Sequence, residues 1–179
     1  AYAVVVMSVI LGLAYPIFTT FVANLLFPHQ ANGSIIEYEN RSVGSELIGQ
    51  DFNKLGYFMS RPSANGYDGA ASSGSNFSAS NPKQAVAIKE RETFWKEHID
   101  PNIKIPADLL TASASGIDPH ISYEAAIYQI PVVMKNTGLS ESQLRVLIDQ
   151  SSIANLIKGS GMVNVLKLNI AVDKLVKQK

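Results

Sequence analysis

The chain contains no cysteine, so disulfides, thiolate nucleophiles and cysteine metal sites are excluded, and any folded part stands on its core alone. Its three histidines, His29, His98 and His120, form no His-x-x-x-His pair and sit in no carboxylate cluster, so no metal site is indicated. Net charge is missing too: 15 basic residues balance 15 acidic ones, which leaves no field to gather nucleic acid. There is no Gly-x-x-x-x-Gly-Lys phosphate loop. From Ala1 to Phe27 there is no Asp, Glu, Lys or Arg at all.

That uncharged stretch is dominated by Val, Ile, Leu and Phe, as in Val4-Val5-Val6 and Val9-Ile10-Leu11. A helix over residues 1–27 would reach about 40 Å, against about 30 Å of bilayer hydrocarbon, so the run predicts a single transmembrane anchor. A secretory signal peptide would show a basic start and a shorter apolar run. Within the anchor Ser8, Gly12, Pro16, Thr19 and Ala23 recur every three or four positions, a small-residue stripe against which a partner helix could pack closely. Beyond it, residues 28–47 carry one basic residue, Arg41, beside Glu37, Glu39 and Glu46. By the positive-inside rule this predicts that residues 28–179 form a domain outside the cytoplasm.

Along that domain, Ser34 to Tyr38 and Val43 to Ile48 are short β-prone runs separated by Glu39-Asn40-Arg41-Ser42, the pattern of a hairpin. Residues 56–82 are rich in Gly, Ser, Asn, Ala and Pro, with Tyr57, Phe58, Met59, Tyr67 and Phe77 as the bulky side chains. So long an irregular segment is functional or disordered, and its aromatics favour packing against the domain. Asn81-Pro82 predicts an N-cap and first helical residue, opening a helix to about His98 with Ala85, Ile88, Trp95 and Ile99 inside. Ser122 and Gly138 bracket a second helix, in which Pro131 removes one hydrogen bond and predicts a kink. Ser140 and Gln143 make a capping box for a third. Val163 to Val176 fits a short strand and then a helix. The expected architecture is one α+β domain behind one anchor.

Catalytic chemistry has thin support. Asp118-Pro119-His120 puts a carboxylate near an imidazole and serines abound, yet no Gly-x-Ser-x-Gly elbow surrounds any of them, and Asp before Pro commonly starts a turn. Ser80-Asn81-Pro82-Lys83 matches a Ser-x-x-Lys pattern, but a helix cap followed by a surface lysine explains it as well. Two classes stay open on these residues: an anchored extracytoplasmic hydrolase using a serine with Asp118 and His120, and an anchored ligand-binding or sensor domain using the 56–82 loop.

Longer motifs go further. Leu26-Phe27-Pro28-His29-Gln30-Ala31-Asn32-Gly33-Ser34, Gly44-Ser45-Glu46-Leu47-Ile48-Gly49-Gln50, Arg61-Pro62-Ser63-Ala64 and Ala71-Ser72-Ser73-Gly74-Ser75-Asn76 come in this order. Gly116-Ile117-Asp118-Pro119-His120-Ile121-Ser122, Tyr128-Gln129-Ile130-Pro131 and Val163-Asn164-Val165-Leu166 follow. In order and spacing they resemble the C subunits of the Kdp-type potassium-transporting ATPases of bacteria, with departures chiefly at residues 149–161 and the Lys-rich end. The resemblance implies a plasma-membrane complex in which a channel-like A subunit selects potassium, a P-type ATPase B subunit hydrolyses ATP, and a small F subunit stands alongside. It implies that this chain stabilises assembly and acts as a catalytic chaperone raising the ATP affinity of the B subunit. ATP and potassium then belong to the complex, with no cofactor bound directly by this chain. Arg61, Pro62, Ser63, Ser72, Ser73, Gly74 and Asn76 become candidates for a subunit interface near the ion entrance, and Asp118 and His120 for a structural or interface role. Leu139-Ser140-Glu141-Ser142-Gln143 is similar to the Leu-Ser-Gly-Gly-Gln signature of ATP-clamping transporters, which makes Ser140 and Gln143 candidates for a nucleotide link.

Overall fold

The uncharged N-terminal run forms α1, Tyr2–Leu26, in the computed structural model, which describes residues 1–153 and 161–178. Part of the divergent stretch 149–161 therefore lies outside the described residues. The chain makes two compact units, Ala1–Leu47 and Ile48–Lys179, so residues 28–47 group with α1.

In the first unit α1 is long and apolar enough to cross a membrane. It is not uniformly α-helical: Ile10–Ala14 is a π turn, with the Tyr15 amide donating to the Ile10 carbonyl. Pro16 explains it, because proline brings no N–H to the carbonyl four residues back and its ring crowds that carbonyl, so the preceding turn widens to find other donors. After α1 comes α2, Pro28–Ala31, and then a hairpin of β1, Ile35–Tyr38, and β2, Arg41–Ser45. The hairpin is tighter than the sequence suggests. Glu39 and Asn40, at φ 51° and 58°, make a two-residue turn in the left-handed conformation, whose twist matches the right-handed twist of paired strands, and β2 starts at Arg41 rather than Val43. A bulge between Ile36 and Glu37 leaves Val43 as the extra residue. The unit is tied together by Ser45 Oγ donating to the Gly33 carbonyl at 2.7 Å and by His29 Nε2 lying 3.3 Å from Glu46 Oε1.

The second unit is α+β. Its helices are α3, Pro82–His98, α4, Ala107–Leu110, α5, Tyr123–Thr137, α6, Glu141–Gln150, and α7, Val165–Lys177. A small antiparallel sheet orders β3, His120–Ser122, beside β5, Met162–Asn164, which pairs in turn with β4, Ser152–Ile153. Each long helix starts on the cap its sequence advertises. Asn81 Oδ1 accepts from the Lys83 amide, Ser122 Oγ from Ala125, and Asn164 Oδ1 from Lys167, while Ser140 and Gln143 close the full box. Gly138, at φ 70°, ends α5 in the left-handed conformation. The helix continues through Pro131.

The core gathers Phe58, Trp95, Leu109, Ile121, Val133, Leu144, Ile148, Val163, Leu168 and Val172. The inner face of α3 differs from expectation: Ala85 is exposed, and Gln84, Ala87, Ile88, Arg91, Phe94 and Trp95 turn inward. Phe94 and Trp95 together fix the helix rotation, because burying two large rings outweighs burying one methyl group.

Candidate functional site

From Glu46 to Asn81 the backbone contains neither helix nor strand, a longer irregular run than the 56–82 segment, yet Phe58 within it is wholly buried. Buried peptide groups need partners, and here side chains supply them. Asn169, on the inner face of α7, accepts from the Phe58 amide at 2.8 Å and donates to the Phe58 carbonyl at 2.9 Å. Gln129 on α5 does the same for Met59, at 2.7 and 3.2 Å. Two carboxamides thus stand where a neighbouring strand would be. Sequence reading passed both residues over; the signal was an amide inside each apolar helical face, between Tyr128 and Ile130 and beside Leu168.

Beyond this clamp the loop lies on residues 113–118. Ser113 donates its amide to the Pro62 carbonyl at 3.0 Å, Ser72 Oγ donates to the Ser115 carbonyl at 3.0 Å, and the Gly49 amide to that of Ile117 at 2.7 Å. Ser63 Oγ accepts from the Tyr67 amide and donates to Asn65 Oδ1, while Asn65 Nδ2 donates to the Ala71 carbonyl. The layers touch closely enough to demand glycine. A Cβ on Gly74 would meet the Ala114 carbonyl at 2.7 Å, and one on Gly116, at φ 72°, would strike Asn65 Oδ1 and the Ser73 carbonyl.

Arg61 and Asp118 meet here. Arg61 Nη1 donates to Asp118 Oδ2 at 3.2 Å, whereas its buried Nε has no hydrogen-bond partner among the described residues. Asp118 Oδ1 accepts from the His120 amide at 3.0 Å, the turn that Asp before Pro suggests. His120 Nδ1 is 4.0 Å from that oxygen and Nε2 is 3.5 Å from Asn164 Nδ2. Among the described residues no serine hydroxyl bonds the His120 ring. Ser72, Ser73 and Asn76 lie exposed on the crest, with Pro62 and Ser63 half-buried beneath.

The other candidates lie on other elements. Ser140 and Gln143 are engaged with each other: the Ser140 amide donates to Gln143 Oε1 at 2.9 Å and the Gln143 amide to Ser140 Oγ at 3.3 Å. Ser8 precedes the π turn, Gly12 lies within it, and Pro16, Thr19 and Ala23 follow it on α1, so the widened turn sets the five off from one straight line.

The family described as KdpC, K+-transporting ATPase, c chain, matches residues 1–174. The chain belongs to this family. It is 50% identical over 169 residues to the "Potassium-transporting ATPase KdpC subunit" of Pectobacterium atrosepticum, covering 91% of this chain and 88% of the relative. A relative of the same description from Caldanaerobacter subterraneus subsp. tengcongensis is 45% identical over 179 residues, 97% of this chain and 92% of its own. A third, from Herpetosiphon aurantiacus, is 44% identical over 180 residues. Membership makes the chain a subunit of a potassium-transporting ATPase, and α1 fits a membrane location for it.

Proposed function

We propose that this subunit has no catalytic site of its own, stabilises the pump and raises the ATP affinity of the ATP-hydrolysing B subunit, with the loop platform as the surface that meets the channel-like A subunit near the ion entrance. The observation carrying this reading is the platform's construction. A segment with no regular structure is held by two buried carboxamides, an Arg–Asp pair and several backbone bonds, while its crest stays exposed. Preorganised loops of this kind present recognition groups without an ordering cost at the moment of contact. The small F subunit and the helices of A are the natural neighbours of α1. ATP and potassium act through the complex: the capping box gives Ser140 and Gln143 a structural role at the start of α6, and the effect on ATP affinity runs through conformation and not through direct contact.

The test is Arg61→Ala in the whole complex. Losing the guanidinium leaves Asp118 without its ion-pair partner and loosens residues 61–76 from 113–118. Less A and B subunit should copurify with the variant from native membranes, and Arg61→Lys should restore part of the loss. Full recovery of both subunits with Arg61→Ala would remove the platform from the interface.

A further inference from the structure

Away from the platform crest, a cleft of about 390 Å³ opens between the loop and α3. Its size and make-up are those of a small-molecule site: an apolar body with few polar groups. Phe52, Met59, Phe94, Trp95 and Leu109 supply the apolar walls. Arg91, also in the wall, is the inward-turned cation of α3. Its Nη1 donates to the Leu110 carbonyl at 2.7 Å, and among the described residues it forms no ion pair.

Arg91 is half-buried on an apolar surface and hydrogen-bonded to a neutral carbonyl, an arrangement whose desolvation cost nearby charge offsets only in part. Burial pushes its guanidinium below the ordinary value, with Tyr67 and Glu90 acting in the other direction. Two carboxylates, Asp51 and Glu90, also border the cleft, but both residues are exposed and screened by water, whereas Arg91 lies deeper. The Tyr67 hydroxyl, bonded to the Arg61 carbonyl, joins Arg91 as the other inward polar group.

We propose that this cleft binds a small organic monocarboxylate with an apolar body, its carboxylate on Arg91 and its body between Phe52, Phe94 and Trp95. An Arg–carboxylate contact in a partly dry site is among the stronger polar interactions available, and the flanking rings offer the apolar remainder stacking surface. The site is distinct from the Arg61–Asp118 platform, although the two share the segment that runs from Met59 to Tyr67.

Trp95 is the only tryptophan in the chain, so its emission reads the cleft directly. The full chain in dodecyl maltoside would be titrated with 3-phenylpropionate, 3-phenylpropanol and 3-phenylpropylamine, which share a body and differ in charge. The carboxylate should shift Trp95 emission saturably and bind about tenfold tighter than the alcohol, as a charge-assisted bond predicts. Arg91→Gln should bring that ratio to about one, and Arg91→Lys should keep part of it. Should Arg91→Gln fail to fold, the three probes on the unmodified chain still decide. Equal binding of acid and alcohol, tighter binding of the amine, or no saturable response to the acid would each overturn the proposal.

Discussion

Tyr128 and Gln129 are neighbours on α5, both buried and both polar at the tip, and their substitutions should have opposite effects. Gln129 satisfies the amide and carbonyl of Met59, so Gln129→Leu leaves two backbone groups without partners, at about 1 to 3 kcal/mol each. The expected loss is about 3 kcal/mol, and Asn169→Leu should cost a similar amount through Phe58. The Tyr128 hydroxyl is buried with no partner among the described residues, so Tyr128→Phe should raise stability by about 1 kcal/mol. Urea unfolding followed by Trp95 emission measures all three, and a destabilised Tyr128→Phe would show that the hydroxyl has a partner. Tyr67 adds a pH dependence. Burial, and secondarily the charge of Asp51, pushes it from 10.0 up to about 12. The folded state therefore holds that proton more tightly than the unfolded state does, and the associated stability is complete below pH 10 and lost as pH rises through about 12. Absorbance at 295 nm should show a late-titrating tyrosine that is missing in Tyr67→Phe; the same curve for both chains would refute the assignment.

The helices of the second unit could be read from their caps, because a capping residue bonds within three positions of itself and the information is local. Asn81, Ser122, Ser140 and Gly138 are all of this kind. The clamp could not be read that way: Asn169 and Gln129 meet backbone 111 and 70 residues distant, and only the packed core brings them together. For the same reason Ala85 looked like an inner residue until the bulk of Phe94 and Trp95 set the rotation of α3. In α1 the widened turn at Ile10–Ala14 was implicit in Pro16, but a uniform 3.6-residue period hid it and drew the small residues into one straight stripe. Gly12 sits in that turn with nothing within 4 Å of where a Cβ would be. Gly12→Leu therefore meets no clash within the described chain, and any effect reports another molecule. Fewer partner subunits should copurify with it while membrane insertion is unchanged. Undiminished assembly at native expression would show that this face of α1 packs against lipid.

At the scale of the whole molecule, the question is on which side of the membrane the second unit works. ATP is a cytoplasmic substrate, whereas the acidic flank after α1, Glu37, Glu39 and Glu46 against Arg41, predicts by the positive-inside rule that residues 28–179 lie outside. With that orientation the Leu139–Gln143 segment would have no access to nucleotide, and its capping box gives Ser140 and Gln143 a role in starting the helix without one. An influence on ATP affinity would then pass through the pump's own equilibrium between states. Contacts favouring one state by about 1.4 kcal/mol change apparent affinity by up to about tenfold, so a modest platform interface is sufficient. The absence of cysteine allows a clean measurement, since Ser142→Cys introduces the only thiol in this chain, on the first turn of α6 where Ser142 is exposed. A membrane-impermeant maleimide added to intact spheroplasts should label it without permeabilisation, and labelling confined to opened membranes would reverse the orientation. In that case Ser140 and Gln143 would stand on the ATP side, and the coupling would have a direct route through the helix cap in place of the long route through the platform.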